Sequence, residues 1–279
     1  MTAAMAGFTA EDMFLKAAVA AGVPTGQCLM IMGVAGAVLF AALCLRQGAG
    51  PLHPAMVGPP MLARSALEIA GRLFHALAIA MVPFALTSAI LQATPLVVLA
   101  GAALIFGETV GWRRWLAVAV GFAGVLVILR PGVEGFDLLS LLAVAGMAGF
   151  AGRDLATRAA PATLSNMQLG VLGFAMLTVA GALILGWTGG AVLPDARGAA
   201  LVAGMTLAGV FSYAMLTAAM RMGEMSVVAP FRYTRLVFAL VVAVAVFGER
   251  LDAPMLAGAA LIVGSGLYTL FRSRRLARR

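Results

Sequence analysis

Long apolar runs alternate along the chain with brief clusters of Gly, Pro and charge. Ten such runs can be marked: residues 2–21, 27–46, 64–82, 86–106, 112–130, 138–158, 167–187, 199–221, 226–247 and 253–272. Each is close to the roughly 20 residues that a helix needs to cross a bilayer. Connections between them are short. The longest, RQGAGPLHPAMVGPP after the second run, has four prolines and three glycines and predicts an irregular surface loop. Small residues such as Gly121, Gly124, Gly264 and Gly266 recur inside the runs. They let helix backbones approach closely where no hydrophobic force drives association.

Composition turns these runs into membrane spans. Hydrophobic residues make up 63% of the 279 and charged residues 11%, with a mean hydropathy of +1.04. Ordinary soluble domains have about 45–50% apolar and about 25% charged residues. The expected class is an all-α integral membrane protein of ten helices with no separate polar domain. No basic stretch or cleavage site precedes the first run, so it is expected to be retained as a helix. Cys28 and Cys44 fall sixteen residues apart in the second run and are expected to be small buried residues, not a pair.

With the amino end in the cytoplasm, eleven arginines fall on the inner connections and tail and three (Arg130, Arg197, Arg250) on the outer ones. That bias places both termini in the cytoplasm of an inner membrane. The RSRRLARR tail and the net charge of +8 are read as a topology anchor on anionic lipid, not as a nucleic-acid site.

Two phrases repeat. AMAGFTAEDMFLKAA at 4–18 returns as GMAGFAGRDLATRAA 142 positions later, with seven of fifteen residues identical, and FGETVGWRRWLA at 106–117 returns as FGERLDAPMLA 141 positions later. Offsets that agree within one residue indicate two homologous halves, residues 1–132 and 133–279, of five spans each. Five is odd, so the halves lie in opposite orientations. Such inverted repeats can exchange conformations around a midplane site, which is alternating access.

The stretches PLVVLAGAALIFGETVGWRRWLAVAVGFAGVLVILRPG at 95–132 and VVAPFRYTRLVFALVVAVAVFGERLDAPMLAGAALIVGSGL at 227–267 resemble the signature of the EamA-type branch of the drug/metabolite transporter superfamily. The resemblance covers nearly the whole chain. It implies ten helices in two inverted five-helix repeats and transport of small metabolites. The nearest branch implies export of aromatic and other amino acids, with S-adenosylmethionine carriers as neighbours. GFTAEDMFLK departs from the Trp-Gly-containing first helix of many members.

Ionisable groups inside a span cost roughly 2.5–3.5 kcal/mol each and persist where they face a cavity or a partner. Asp12 and Lys16 stand at i,i+4 on the first helix, Asp154 and Arg158 likewise on the sixth, and both pairs are expected to close along one helix face. Glu68, Arg72 and His75 share a face of the third helix, and Arg232, Tyr233 and Arg235 open the ninth. A zwitterion needs an acid for its ammonium and a cation for its carboxylate. Glu11, Asp12 and Glu68 offer the first; Arg72, Arg232 and Arg235 offer the second. The alternative is interhelical salt bridging, or snorkelling for Lys16, Arg158 and Glu68. Glu11 has no acidic counterpart in the second half, where Arg153 stands, and it and His75 are candidate proton carriers. Phe8, Gln92 and Tyr233 complete the candidate pocket lining. Glu108 and Glu249, at helix ends, suit capping or gating, and Pro95 and Pro230 suit bending.

Other function classes find little support. The chain has no HExxH, no G-x-S-x-G, no Cys/His cluster with metal-ligand spacing and no Gly-rich phosphate loop. A carrier, not an enzyme, is therefore expected, without cofactor or metal, and with a functional monomer since one chain holds both halves. A channel is the rival, from which saturable kinetics would separate it.

Overall fold

The computed structural model describes residues 1–107, 111–130, 137–158, 161, 163–222 and 229–277. Among them there is helix and no strand. The helices are α1 (Thr2–Ala20), α2 (Thr25–Arg46), α3 (Pro59–Met81), α4 (Phe84–Leu91), α5 (Thr94–Phe106), α6 (Trp112–Leu129), α7 (Ser140–Arg158), α8 (Asn166–Thr188), α9 (Ala196–Met222), α10 (Thr234–Ala245) and α11 (Ala253–Ala277). Short 3₁₀ turns occupy Pro54–Val57, in the long loop, and Ala229–Tyr233, ahead of α10.

The expected fourth and ninth spans are not continuous helices. The fourth is α4 and α5 with a break at Gln92 and Ala93, and the ninth is the Ala229–Tyr233 turn followed by α10. Pro95 stands in the first turn of α5 and has no N–H to offer the carbonyl of Leu91. The Thr94 hydroxyl donates to that carbonyl instead, at 2.6 Å. A polar side chain thus satisfies backbone that lipid could not. Pro230 lies inside the 3₁₀ turn.

Among the described residues five helical stretches are long and apolar enough to cross a membrane: Thr25–Arg46, Phe84–Phe106, Trp112–Leu129, Asn166–Thr188 and Ala196–Leu216. Helices α1, α3 and α7 fall short because they carry the ionisable residues. α10 is shortened by the turn before it, and α11 is apolar over Ala253–Thr269. Large apolar side chains such as Val34, Leu45, Leu104, Leu126, Val237 and Val241 face outward, as a lipid-facing surface requires. Cys28 and Cys44 are both buried and free.

Helix pairs α2–α8, α3–α7, α1–α9 and α6–α11 make the most extensive contacts, followed by α3–α8, α1–α10, α5–α7, α4–α10, α2–α9 and α4–α7. Glycine makes the closest approaches possible. A Cβ placed on Gly149 of α7 would lie 2.6 Å from the Cα of Gly71 on α3, and one on Gly181 of α8 would lie 2.6 Å from the carbonyl oxygen of Gly26 on α2. Backbone, unlike a side-chain tip, cannot step aside. At the far end of α6, Arg130 pairs with Asp252, whose carboxylate also accepts from Met255 N at the start of α11.

Gly149→Val should therefore force α3 from α7 and cost ~1–3 kcal/mol, seen as a lower melting temperature in detergent. Gly173→Ala is its control, because a Cβ there meets nothing within 4 Å. Equal melting of the two variants would show that the α3–α7 contact is not tight.

Candidate functional site

A cavity of about 270 Å³ lies between the N-terminal half of α1, the stretch of α3 from Arg64 to His75, the C-terminal parts of α7 and α9, the start of α8 and the two broken spans. Helical spacing puts its polar residues there. Phe8, Glu11 and Asp12 share one face of α1; Phe150, Arg153, Asp154 and Thr157 share one face of α7. The breaks bring in Gln92, Thr94 and Pro95 from one side and Arg232 and Arg235 from the other.

Behind the wall sits Glu68, 1% exposed. Its carboxylate accepts from Arg72 Nε at 3.2 Å and from Arg153 Nη1 at 3.2 and 3.4 Å, with Arg64 Nη2 at 3.5 Å. Each arginine has a further contact: Arg153 with Asp154 at 2.7 Å, Arg72 with Glu11 at 3.4 Å, and Arg64 with the Thr157 hydroxyl at 3.0 Å. Arg72 and Arg153 lie 5.6 and 5.1 Å from the centre of the Phe150 ring. A second knot joins α1, α3 and α10. Asp12 takes His75 Nε2 at 3.2 Å on one oxygen and Arg235 Nη2 at 2.5 Å on the other, and Arg235 lies over the Phe8 ring.

Four carboxylates (Glu11, Asp12, Glu68, Asp154) and five arginines (Arg64, Arg72, Arg153, Arg232, Arg235) therefore meet at the cavity. Not all are satisfied. Glu11 Oε2, Arg64 Nη1 and Gln92 Nε2 are buried without a hydrogen-bond partner. Arg232 lines the cavity with no ion-pair or hydrogen-bond partner among the described residues. Buried polar atoms are nearly always paired, so these three atoms, with the partly exposed Arg232 beside them, mark where a guest would find its contacts.

The opposite end of α1 and α3 is closed. Lys16 donates to the Val82 carbonyl at 2.6 Å, lies 3.7 Å from Glu249 Oε1, and sits over the Phe247 ring. Glu249 accepts from the first amides of α4, Phe84 N at 2.5 Å and Ala85 N at 2.9 Å, while Phe84 packs on Phe247 with ring centres 5.3 Å apart. It caps a helix from the other half of the chain, where anionic charge is favoured.

Several expectations are corrected by these contacts. Asp12 and Lys16 do not pair with each other, because α3 and α10 hold Asp12 while Lys16 reaches the opposite end of the bundle. Asp154 pairs with its neighbour Arg153; the side chain of Arg158 lies outside the described residues, as does Glu108. Glu68 does not snorkel or line the cavity but anchors its arginines from behind. Tyr233 faces away, its hydroxyl against Gly266 of α11. Phe8, Glu11, Asp12, Arg72, His75, Gln92, Pro95, Asp154, Arg232 and Arg235 do line it. Arg64, Phe150, Arg153, Thr157, Asn166 and Tyr213 line it too and were not selected from the sequence. Arg64 stands one turn before Glu68 and Arg153 beside Asp154, so spacing to an acid was the available signal.

The sequence model of the EamA-like transporter family matches residues 1–130 and 137–271. The chain belongs to this family. Similar proteins include the S-adenosylmethionine uptake transporter of Rickettsia prowazekii (strain Madrid E), 26% identical over 186 residues, 66% of this chain and 62% of that one. The riboflavin transporter of Rhizobium johnstonii is 29% identical over 202 residues, 72% of this chain and 66% of the relative. That of Brucella anthropi is 26% identical over 277 residues, 97% and 96% of the two. The match thus spans less than two thirds of the Rickettsia protein's length. A solved crystal structure shares the fold, with a TM-score of 0.60 and 20% identity over 95% of this chain and 97% of that one. The chain is thus a multi-pass membrane protein of a transporter family, and both the family and these relatives point away from an enzyme. The names of these relatives give S-adenosylmethionine and riboflavin as cargo, where the sequence resemblance implied export of amino acids.

In this EamA-family chain, Glu68→Gln would leave three guanidinium groups around a neutral acceptor. The expected loss is roughly 3–5 kcal/mol, as for other broken buried ion pairs. Asp252→Asn, at the half-exposed pair with Arg130, should cost less than about 1 kcal/mol. A thermal shift for Glu68→Gln no larger than that for Asp252→Asn would mean that Glu68 does not hold the site together.

Proposed function

We propose that this chain is a secondary carrier of a small zwitterionic metabolite bearing an amino-acid group, with S-adenosylmethionine the first candidate and free amino acids the second. The observation that carries this reading is the pair of opposite charges facing the cavity with unused capacity, Glu11 and Arg232, with the Gln92 amide also free. An ammonium suits Glu11 and a carboxylate suits Arg232 and Gln92. The rings of Phe8 and Phe150 offer faces for a planar or cationic portion. An uncharged molecule such as riboflavin would offer Glu11 and Arg232 hydrogen bonds but no opposite charge, and charge-assisted hydrogen bonds are the stronger ones. The name of the Rickettsia relative supports both S-adenosylmethionine as substrate and uptake, over the export that the sequence resemblance implied.

The proposed mechanism is alternating access between two inverted halves, residues 1–132 and 133–279, in a bacterial inner membrane with both termini in the cytoplasm. The helix packing supports it. Exchanging each span of one half for the span of the same rank in the other turns α3–α7 into α1–α9, α3–α8 into α2–α9 and α1–α10 into the contacts of α4 and α5 with α7. On this reading the cavity opens to the cytoplasm, and Lys16, Glu249 and the start of α4 form the closed outer gate. The repeat offsets make Arg158 and Glu108 the counterparts of Lys16 and Glu249, so a similar latch can form at the other end in the alternate state.

Uptake of labelled S-adenosylmethionine into proteoliposomes tests the substrate. Saturable uptake, competed by excess unlabelled S-adenosylmethionine and not by riboflavin, is expected. Uptake of methionine or phenylalanine alone would transfer the reading to free amino acids, and uptake of riboflavin alone would end it. Arg232→Ala and Glu11→Gln should each raise the substrate KM about 10- to 100-fold, the worth of roughly 1.5–3 kcal/mol for a charged hydrogen bond.

The gate is tested separately. In a Cys28→Ser, Cys44→Ser background, a cysteine at Ala85 is buried and should resist an impermeant thiol reagent. Adding Glu249→Gln should speed its labelling at least several-fold from the outer face; unchanged labelling would mean that Glu249 does not hold that end closed.

A further inference from the structure

Away from the central cavity, the ends of α6 and α11 enclose a second space of about 350 Å³, lined by Trp112, Arg113, Leu116, Val120, Gly264 and Tyr268 among others. None of its lining residues touches the first cavity. Its chemistry is graded along the helices. At the mouth stand Trp112 and Tyr268, both exposed, and Arg113, whose guanidinium lies 5.2 Å from the centre of the Trp112 ring. Tryptophan and tyrosine in such a position mark the boundary between headgroups and hydrocarbon. From Trp112 to Val120 the α6 wall descends about 12 Å, and over that length Leu116, Ala117 and Val120 are apolar. Opposite them, a Cβ added at Gly264 would meet nothing within 4 Å, so the groove stays open at this depth.

Among the described residues the charge at the mouth has one sign. Arg113 has no carboxylate partner among the described residues, and the Nε of its neighbour Arg114 is buried without a hydrogen-bond partner. Residues 112–129 and 253–279 contain no Asp or Glu, and the second stretch ends in RSRRLARR. A groove that begins with cations and aromatic rings and continues as open apolar space matches one molecule of the surrounding solvent. We propose that it is a binding site for an anionic glycerophospholipid, its phosphate at Arg113 and one acyl chain along Leu116, Val120 and Gly264. A zwitterionic lipid places an ammonium among cations with no acid to receive it, so the site discriminates by net headgroup charge. The bound lipid fills the seam between the fifth and tenth spans.

The test is native mass spectrometry of the full chain in mild detergent, equilibrated with equal amounts of phosphatidylglycerol and phosphatidylcholine. Wild type should retain phosphatidylglycerol in preference. The double variant Arg113→Gln, Arg114→Gln and, separately, Gly264→Leu should each lose one such molecule per chain, with retention falling about tenfold. Gly264→Leu keeps every charge and fills the groove, so its loss reports the acyl chain and not general attraction to the membrane. Should the arginine variant fail to fold, crosslinking of a photoreactive phosphatidylglycerol to wild type replaces it, with labels expected on residues 112–120 and 264–268. Equal retention of the two lipids by wild type, undiminished phosphatidylglycerol on Gly264→Leu, or a lipid-free dimer that Gly264→Leu dissociates would each overturn the proposal.

Discussion

Glu68 occupies the position on which the rest of the site depends. A carboxylate at 1% exposure in an apolar bundle is tolerable only with cations against it, and three arginines supply them: Arg64 and Arg72 from its own helix and Arg153 from α7. Those arginines in turn draw Asp154, Thr157 and Glu11 into one connected set. The helices follow the charges. α3 approaches α7 at Gly71 and Gly149 until backbone meets backbone, because the side chains between them must be within ion-pair distance for burial to be possible. Dispersion and glycine packing permit the contact; the buried carboxylate gives it a register.

A second constraint acts on the backbone. Bringing Gln92, Thr94, Arg232 and Arg235 to one cavity requires that the fourth and ninth spans stop being continuous helices there, and each break exposes carbonyl and amide groups in a low-dielectric setting. The Thr94 hydroxyl satisfies the carbonyl that Pro95 abandons, and the cavity itself receives what remains. Irregular backbone at this depth survives only where it lines polar space. Broken spans and central cavity are two descriptions of the same solution.

The two ends of the bundle are chemically distinct for a related reason. Lys16 and Glu249 close one end with a short set of direct contacts to the start of α4, whereas the charges at the other end are spread around a space. Direct pairing excludes a guest and unused pairing capacity invites one. Remote from both, the groove of α6 and α11 lies among outward-facing apolar side chains, and Arg113 stands at its rim.

How much of this was legible beforehand follows from the range of each interaction. Hydropathy and span length identify the membrane class and nearly all span boundaries, because transfer from water to lipid is summed residue by residue along the chain. The FGE motifs and their surroundings mark the family in the same local way, and proline composition flags the positions near which the fourth and ninth spans break. Partner choice is not local. Asp12 and Lys16 satisfy the i,i+4 rule and still separate, since a buried carboxylate gains more from His75 and Arg235 across the bundle than from a lysine that can reach Val82 and Glu249. Tyr233 adjoins Arg232 in sequence but turns toward Gly266. Sequence alone therefore determined that this chain is a membrane protein, where its apolar helices run, and which ionisable residues lie inside them. Tertiary structure alone decided which of those residues neutralise one another and which are left facing a cavity, because desolvated charges choose partners by distance in space, and that distance exists only after the helices have packed.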